Sequence, residues 1–460
     1  MADTTRQGVL FPSLFSKPVH IAFSQEHLSG YGGTVLLAAR DRRLGLSQRL
    51  AAVLRDPRQP GKVQHELLEQ LRQRLFGIAL GCPDGNDAAR LRGDPMLKLA
   101  CDRDPLAGDA LASQPTLSRF ENGVSRTQLL RMGQQLAETL VEEQARRRRG
   151  QRRPRRIIID VDPTCDPTHG DQQLTFFNGF YKSWCYLPVV VTISFDREAR
   201  KYPVAVLLRP GNARALLGVR GVLKRLLALL RRRFPRAALY VRADAGFASH
   251  EFFNYLDGEG LRFALAMGSN SRLRELAAGW MKVARRKVQR DGTKATLYRE
   301  STYKARRWNR PHRLACKAEV VVEEGKPPRD NARFVVTNLP LSYGSAGLFE
   351  FYYGHSDMEN TIKELKNDLA MDRTSCCRFA ANQLRVLLTL ASYVLMQSMQ
   401  ECARDEELQR AQMATLRDRL VQIAVRVSSS VRRIVLEFTA HHPWTDDWLA
   451  CARRLGAVPL

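Results

Sequence analysis

Residues 157–164 read Ile-Ile-Ile-Asp-Val-Asp-Pro-Thr, and this stretch decides the fold class. A short β-branched run of this kind predicts a buried strand. Because side chains alternate along a strand, Asp160 and Asp162 lie on the same face of it. Two explanations fit a strand that runs into two acids. The strand either ends in an Asp-Pro turn or carries carboxylates to a metal site.

The residues after this strand alternate between strand and helix patterns. Residues 187–195 and 203–208 are strand-like, and the connection between them is too short for a helix, which favours antiparallel pairing. The later elements are a helix over 214–234, a strand over 238–242, a helix near 249–256 and a strand over 262–267. Three antiparallel strands, then helix, strand, helix and strand is the order of an RNase H-like sheet. We therefore predict an α/β fold with a first core segment over 157–270.

The rest of the chain is predicted to interrupt this core and then complete it. Residues 271–345 are interpreted as a β-rich insertion, with strand patterns at 296–302, 314–322 and 333–337. Residues 346–375 resume the core with a catalytic helix. Residues 376–460 are predicted to form a helical C-terminal region.

Residues 1–145 are predicted to be mainly helical and to form a DNA-binding domain. Ser113, Gln114, Thr116 and Arg119 belong to a short polar helix start with a proline near its first turn. Such a string is typical of a helix-turn-helix recognition helix, whose first polar residues face base edges. An ordinary capped surface helix has the same pattern.

Charge is the unusual bulk property. Lys plus Arg number 73 against 47 Asp plus Glu, a net charge of +26, which indicates a polyanionic partner. Eight of the eleven residues in 146–156 are arginine. This basic linker is either simply solvated or clamps phosphates.

A membrane partner is not favoured, because residues 384–396, the most apolar stretch, contain Arg385 and are too short to span a bilayer. No secretory signal is expected at the N-terminus. The nine cysteines form no CxxC pair, which predicts no structural zinc, and their odd number without a secretory signal predicts reduced thiols. Nucleic acid remains as the partner, with a location in the cytoplasm at the nucleoid.

Phosphodiester cleavage by two divalent ions requires carboxylates that converge from separate elements. Asp162, or Asp160 in its place, is the first candidate. Asp244 follows a strand and precedes a glycine, where a turn-forming aspartate is also common. Glu359 is the third candidate. It stands three residues after Ser356, so a helix-capping role is its alternative.

Together these blocks resemble bacterial insertion-sequence transposases of the Asp-Asp-Glu type. The resemblance is to the group whose third block reads Tyr-x2-Arg-x3-Glu-x6-Lys. Tyr352, Glu359 and Lys366 fall at that spacing, whereas His355 stands where the pattern has arginine. Histidine offers one strong donor in place of the two with which arginine grips a phosphate, so a weaker DNA contact is expected there.

The first two blocks extend the resemblance over nearly the whole chain. Asp162 matches the Asp-x-Thr of the family, which makes it a better first ligand than Asp160. Asp244 matches the Asp-x-Gly-Phe turn. Further similar stretches are 111–122, 167–170, 177–179 and 208–212.

The resemblance implies a transposase that binds the terminal inverted repeats of its element and double-stranded target DNA. It implies Mg²⁺, or Mn²⁺, held by Asp162, Asp244 and Glu359. It implies that DNA is positioned by Tyr352, His355 and Lys366. A homodimer on DNA is expected, because two ends must be brought together. The alternatives are an RNase H-like nuclease that cuts without joining and a non-catalytic DNA-binding regulator.

The predicted insertion adds a possible contact with unpaired bases. Residues 281–313 hold twelve Lys or Arg against two acids, with Trp308 among them. Such a mixture suits a flipped or single-stranded DNA end that stacks on a ring. A solvated β-hairpin with aromatic cross-strand pairs is the alternative.

Overall fold

The computed structural model describes residues 9–11, 13, 16–150 and 153–459. Its strands are β1 (Val9–Phe11), β2 (Val19–Ile21), β3 (Leu28–Ser29), β4 (Arg156–Pro163), β5 (Asp166–Pro167), β6 (Phe176–Asn178), β7 (Ser183–Tyr186), β8 (Val189–Phe195), β9 (Tyr202–Leu207), β10 (Ala238–Ala243), β11 (Arg262–Met267), β12 (Ala295–Tyr303), β13 (His312–Val321), β14 (Arg329–Thr337), β15 (Val425–Ser429) and β16 (Ile434–Phe438).

The α-helices are α1 (Thr34–Leu44), α2 (Leu46–Ala52), α3 (Leu67–Ala79), α4 (Gly85–Arg90), α5 (Pro95–Ala100), α6 (Gln114–Gly123), α7 (Arg126–Arg147), α8 (Val219–Arg233), α9 (His250–Gly258), α10 (Ser271–Asp291), α11 (Gly344–Tyr353), α12 (Asp357–Lys363), α13 (Phe379–Gln400), α14 (Glu406–Arg410), α15 (Met413–Leu416) and α16 (Thr445–Arg454).

An eight-stranded mixed sheet in the order β12-β13-β14-β11-β10-β4-β8-β9 forms the centre of the molecule. Strands β4, β8 and β9 are antiparallel neighbours, whereas β10 runs parallel to both β4 and β11. Ile157, Ile159 and Val161 point into a core shared with α8, and the alternate side chains of β4 point to the opposite face. The predicted α/β class is therefore confirmed.

The segment 271–345 differs from the predicted β-rich insertion in two ways. It begins with the 21-residue helix α10, and its three strands join the main sheet through the pairing of β14 with β11. The helix follows from Leu273, Ala277, Met281 and Ala284, which are buried at helical spacing among the basic residues. The strands β12–β14 thus widen the sheet and do not form a separate module.

Helices from both ends of the chain pack around α13. Leu71 and Leu75 of α3 belong to the same core as Leu384 and Leu388 of α13. By length and composition α13 could cross a membrane, but 89% of its most apolar window is buried inside the protein. The predicted boundary at residue 145 lies near the end of α7, although the hydrophobic core continues across it.

The sequence predicts a helical region over 376–460, but the structure of this region also contains strands. Strands β15 and β16 form an antiparallel hairpin, and β15 also pairs with β3 near the N-terminus. Val425 and Val427 are buried while Arg426 and Ser428 are exposed. This alternation has the period of a strand, which explains why a helix does not form here.

Two arginines at the start of the basic linker are engaged within the protein. Arg148 donates to Glu198 at 2.8 Å, and its guanidinium lies 3.8 Å from the centre of the Phe195 ring. Arg146 pairs with Glu143 on α7. Residues 151–152 of the linker lie outside the described residues, so its role in phosphate binding stays a prediction.

Candidate active site

Two of the three predicted acids lie at the same end of two neighbouring parallel strands. In the register of β4 and β10, Arg242 lies beside Asp160 and Ala243 beside Val161. Asp162 and Asp244 take the next pair of positions, where β10 has just ended. Because the register continues the alternation, both carboxylates are on the face of the sheet that also carries Asp160.

Asp162 is largely enclosed and is surrounded by other acids. Its burial raises its pKa to about 7, helped by the nearby carboxylates of Asp244, Glu359 and Asp160 and opposed by His355. Among the described residues Asp162 has no ion-pair partner. Asp244, Glu359 and Asp160 therefore act on Asp162 electrostatically, and their role together as one metal site stays a prediction.

Asp244 caps a short 3₁₀ turn over Ala245–Phe247. One of its carboxylate oxygens accepts the backbone N–H of Gly246 at 3.1 Å. Burial nevertheless raises its pKa, with Gly246, His355, Phe247 and Arg209 acting against the rise. Asp244 therefore has the turn-forming role that was its alternative. This role is compatible with metal binding, because the turn fixes one oxygen and orients the carboxylate.

Glu359 lies in the first turn of α12 and is exposed. The capping box proposed as its alternative role is not formed, because the Ser356 hydroxyl donates to the carbonyl of Tyr353 at 2.6 Å. Among the described residues the Glu359 carboxylate has no ion-pair partner. It is therefore available to a ligand.

Asp160 has the opposite surroundings. It is fully buried, and its oxygens accept from Arg242 at 2.7 and 2.8 Å, from Lys201 at 3.0 Å and from Nδ1 of His355 at 3.0 Å. Although burial acts to raise its pKa, Arg242, His355 and Lys201 hold that pKa well below its usual range. The fallback assignment of Asp160 as a metal ligand does not agree with this structure, because Arg242, Lys201 and the His355 ring already occupy its oxygens.

Sequence comparison decides the family at this point. The profile described as transposase DDE domain group 1 matches residues 11–459, which is nearly the whole chain. The chain belongs to the DDE transposase family. No curated protein sequence matches it at a significant level. Family membership implies a nuclease and transferase role in DNA transposition and recombination, and therefore DNA binding.

The transposase also contains a positioning residue that sequence reasoning missed. Besides Asp160, Arg242 donates to the carbonyls of Phe351 at 2.6 Å and Gly354 at 2.9 Å. It thereby joins β4 to the chain that leads into α12 and Glu359. The sequence could have indicated this role, because Arg242 is the lone arginine inside the apolar strand β10. It lies on the same face of the sheet as Asp160 and Asp162.

Of the three residues predicted to position DNA, Tyr352 and His355 lie close to the acids. The Tyr352 pKa is raised to about 12 by burial and by the nearby Asp244 and Asp162. The His355 ring is bound to Asp160 through Nδ1 and lies 6.1 Å from the Tyr352 ring, centre to centre. Lys366 donates to the carbonyl of Cys165 at 2.8 Å, just after the Asp-Pro-Thr turn. Direct contact of these groups with DNA stays a prediction.

Lys366 does not continue the straight helix that the sequence suggested. The segment Glu364–Asp368 is a π-turn, in which the N–H of Leu369 bonds to the carbonyl of Glu364. A π-turn has more residues per turn than an α-helix and often lies at a functional site. It directs Lys366 towards Cys165 and the end of β4.

The predicted recognition residues lie on α6 in the helical part of the transposase. Ser113 is the N-cap, but its hydroxyl lies 3.2 Å from that of Thr116 and does not cap the backbone. Arg119 is exposed, Gln114 and Thr116 are partly exposed. Thr116 and Arg119 border a cleft of about 370 Å³ whose other lining residues include Arg55, Arg58 and Lys62.

Trp308 does not have the surroundings predicted for a base-stacking residue. Its side chain is 6% exposed. It packs with Phe253 at 4.6 Å, Tyr303 at 5.3 Å and His312 at 5.5 Å between ring centres. The prediction was wrong because the composition of the basic segment does not reveal that the Trp308 indole is buried beneath it.

The donor set suits a hard divalent cation. Carboxylate oxygens are the ligands that Mg²⁺ and Mn²⁺ prefer, and two of these three carboxylates have raised pKa values. Within the described residues, no three His, Cys, Asp or Glu side chains already stand at metal-binding distance from one another. The fit therefore rests on donor chemistry and uncompensated charge.

Proposed function

We propose that this transposase binds the terminal inverted repeats of its insertion sequence and catalyses cut-and-paste transposition. Asp162, Asp244 and Glu359 are the proposed ligands of Mg²⁺ or Mn²⁺. One observation carries the proposal: among the described residues Asp162 has no ion-pair partner and is acted on by other acids, whereas Asp160, two residues earlier, is paired with Arg242, Lys201 and the His355 ring. Such a concentration of uncompensated negative charge is favourable only when a cation neutralises it.

The sheet supports an RNase H-like assignment for the catalytic core. Three consecutive antiparallel strands, β4, β8 and β9, are followed by β10 and β11, which run parallel to β4. The spatial order of these five strands, with the first strand in the middle, is the one expected of that fold. The acids lie at the carboxyl ends of the first and fourth strands of this set.

Each chain group has a proposed task at the DNA end. Asp162, Asp244 and Glu359 would hold the divalent ions, which would supply Lewis-acid stabilisation of charge at the phosphodiester. Arg242 and Asp160 keep β4, β10 and the start of α12 in register. Lys366, His355 and Tyr352 are the proposed DNA-positioning residues, a cation and two polar rings that orient the DNA backbone.

The DNA partners follow from the excess of positive charge and from the chemistry. A net charge of +26 suits both the terminal repeats and duplex target DNA. The α6 residues Ser113, Gln114, Thr116 and Arg119 are proposed to read the repeats. Pairing of two ends requires two copies of the chain, so a homodimer on DNA is proposed, in the cytoplasm at the nucleoid.

The test is cleavage and joining of the element's own ends with Mg²⁺. Asp162→Asn, Asp244→Asn and Glu359→Gln should each abolish cleavage and leave binding of the ends nearly unchanged, because affinity comes mainly from phosphate contacts. Asp357→Asn is the matched control, since Asp357 is an exposed acid in the same first turn of α12.

Three outcomes would contradict the proposal in different ways. Full activity of the Glu359 variant would remove that residue from the site. Cleavage without joining, under conditions that allow both, would indicate a nuclease. End binding without cleavage by the wild-type protein would indicate a regulator.

A further inference from the structure

A small sheet in the order β5-β7-β6 follows the catalytic strand β4 directly in the chain. Residues 174–184, here named the aromatic hairpin, expose six large apolar side chains: Leu174, Phe176, Phe177, Phe180, Tyr181 and Trp184. Phe180 is 86% exposed and Trp184 56%. Such a cluster marks a binding surface, since single exposed apolar residues are normal but contiguous ones are not.

The aromatic hairpin is fixed to the core. The side-chain oxygen of Asn178 accepts the N–H groups of Phe180 at 3.0 Å and Tyr181 at 3.2 Å, and its amide donates to the carbonyl of Gly211 at 2.9 Å. A Cβ on Gly211 would lie 2.2 Å from the carbonyl oxygen of Cys185, so only glycine permits this approach. The backbone that carries the exposed rings is therefore held in place before any ligand arrives.

The aromatic hairpin also lies next to the candidate active site. Strand β5 begins four residues after Asp162 and pairs with β7. The pKa of Tyr181 is raised by burial, by Cys165 and by the carboxylates of Asp162 and Asp244. The short connection from Asp162 to β5 and the pairing of β5 with β7 thus keep the hairpin next to the end of β4, while Phe180 and Trp184 are exposed to solvent.

The charge of the aromatic hairpin suits DNA. The stretch 172–186 contains no acidic residue, and its only charged side chain is Lys182, which is exposed beside Tyr181. Aromatic rings combined with positive charge are the means by which proteins hold unpaired nucleotides. A surface for a protein partner would not need to lie next to the carboxylates of the candidate active site.

We propose that the aromatic hairpin stacks unpaired nucleobases of the DNA end whose phosphodiester bond lies at Asp162, Asp244 and Glu359. The inference rests on the proposed function, which supplies the DNA substrate, and it names the form in which that DNA is held. Every base has a π-face, so stacking at this hairpin is independent of sequence. The hairpin takes the task that the sequence had assigned to Trp308.

The first experiment measures binding of an oligo(dT) single strand, and of a blunt duplex of equal length, to the full-length protein in EDTA. Phe180→Ala and Trp184→Ala should each weaken single-strand affinity about ten-fold and leave duplex affinity unchanged. The matched control is Phe23→Ala, which removes a phenylalanine that is 83% exposed in the N-terminal segment. Trp184→Phe should also remove the tryptophan quenching that accompanies single-strand binding.

Single-strand affinity that is equal in wild type and both hairpin variants would overturn the proposal. So would a loss of self-association in sedimentation velocity without any loss of oligo(dT) binding, because the surface would then serve a second copy. Circular dichroism of each variant verifies that it is folded. The side chains concerned are exposed, so their removal leaves no cavity.

A second experiment separates this proposal from the proposed function. Phe180→Ala should cleave a fully paired element end poorly and recover when the terminal base pairs are replaced by mismatches. If the wild-type protein cleaves neither substrate, the proposed function fails, while the oligo(dT) affinities still decide the role of the hairpin. If mismatches rescue nothing in the variant, the hairpin does not hold unpaired bases during cleavage.

Discussion

Asp160 and Asp162 lie two positions apart on one face of β4, but their carboxylates have opposite electrostatic surroundings. Arg242, Lys201 and His355 compensate the first, and other acids surround the second. Alternation along the strand predicted their common face. It could not distinguish them, because Lys201 and Arg242 reach Asp160 only through the pairing of distant strands.

Asp160→Asn should destabilise the folded protein strongly. The substitution leaves the buried cations Arg242 and Lys201 without their counter-charge, and breaking a buried ion pair on one side costs about 3–5 kcal/mol. Urea unfolding at neutral pH measures the loss. An unchanged midpoint would show that Asp160 contributes nothing to holding β4 and β10 together.

Asp162→Asn should have the opposite effect in the absence of divalent metal. The pKa of Asp162 is about 7 in the folded protein, against an ordinary value of 3.8. Between these values the folded state holds a proton that the unfolded state has lost, so stability falls as pH rises and the penalty is complete above pH 7. Each pKa unit corresponds to about 1.4 kcal/mol.

The variant should therefore unfold at a higher temperature than wild type at pH 8 and at nearly the same temperature at pH 4. Thermal shift in EDTA measures both. Mg²⁺ should then raise the midpoint of wild type and have little effect on the variant. Equal midpoints at both pH values would mean that Asp162 is not held among uncompensated acids.

At the scale of elements, the strand patterns of the sequence predicted β4, β8, β9, β10 and β11 at or near their observed places. The strands β12–β14 were also anticipated, but their pairing with β11 was not, because register between segments far apart in sequence has no local signal. The helix α10 was missed because its buried stripe is diluted by exposed arginine and lysine. The composition of α10 reflects its exposed basic residues and does not indicate its buried side chains.

Replacement of residues 271–339 by a flexible linker should yield an aggregated protein. The deletion removes β14 and leaves β11 as an unpaired edge strand, which is a template for pairing with other chains. Size-exclusion chromatography of the purified variant measures the outcome. Shortening only the exposed turn at 322–328 between β13 and β14 is the control and should leave a monodisperse protein.

At the scale of the whole molecule, α13 joins the two ends of the chain in one hydrophobic core. Its side chains contact α3 from the N-terminal region and α15 from the C-terminal region, and they also cover β9. No local pattern in residues 1–145 reveals that this region depends on residues 379–400. The predicted domain boundaries were placed where the composition changes. The hydrophobic core crosses these boundaries, because α13 packs against both ends of the chain.

A fragment of residues 1–145 should consequently fail to form a folded monomer. It retains α3 but loses the buried face of α13 on which α3 packs. Expression of the fragment followed by thermal unfolding provides the measurement, with full-length Gln114→Ala as a folded control. A soluble fragment that unfolds cooperatively would show that the N-terminal helices are complete by themselves.

The central place of α13 also has a consequence for synthesis on the ribosome. The apolar faces of α1 and α3 emerge early, but the helix that covers them lies about 300 residues later in the chain. At a translation rate of about 5–20 residues per second, these apolar faces remain uncovered for tens of seconds until α13 is synthesised. During that interval the nascent chain exposes surface on which chaperones act, so its yield in the cell should depend on them.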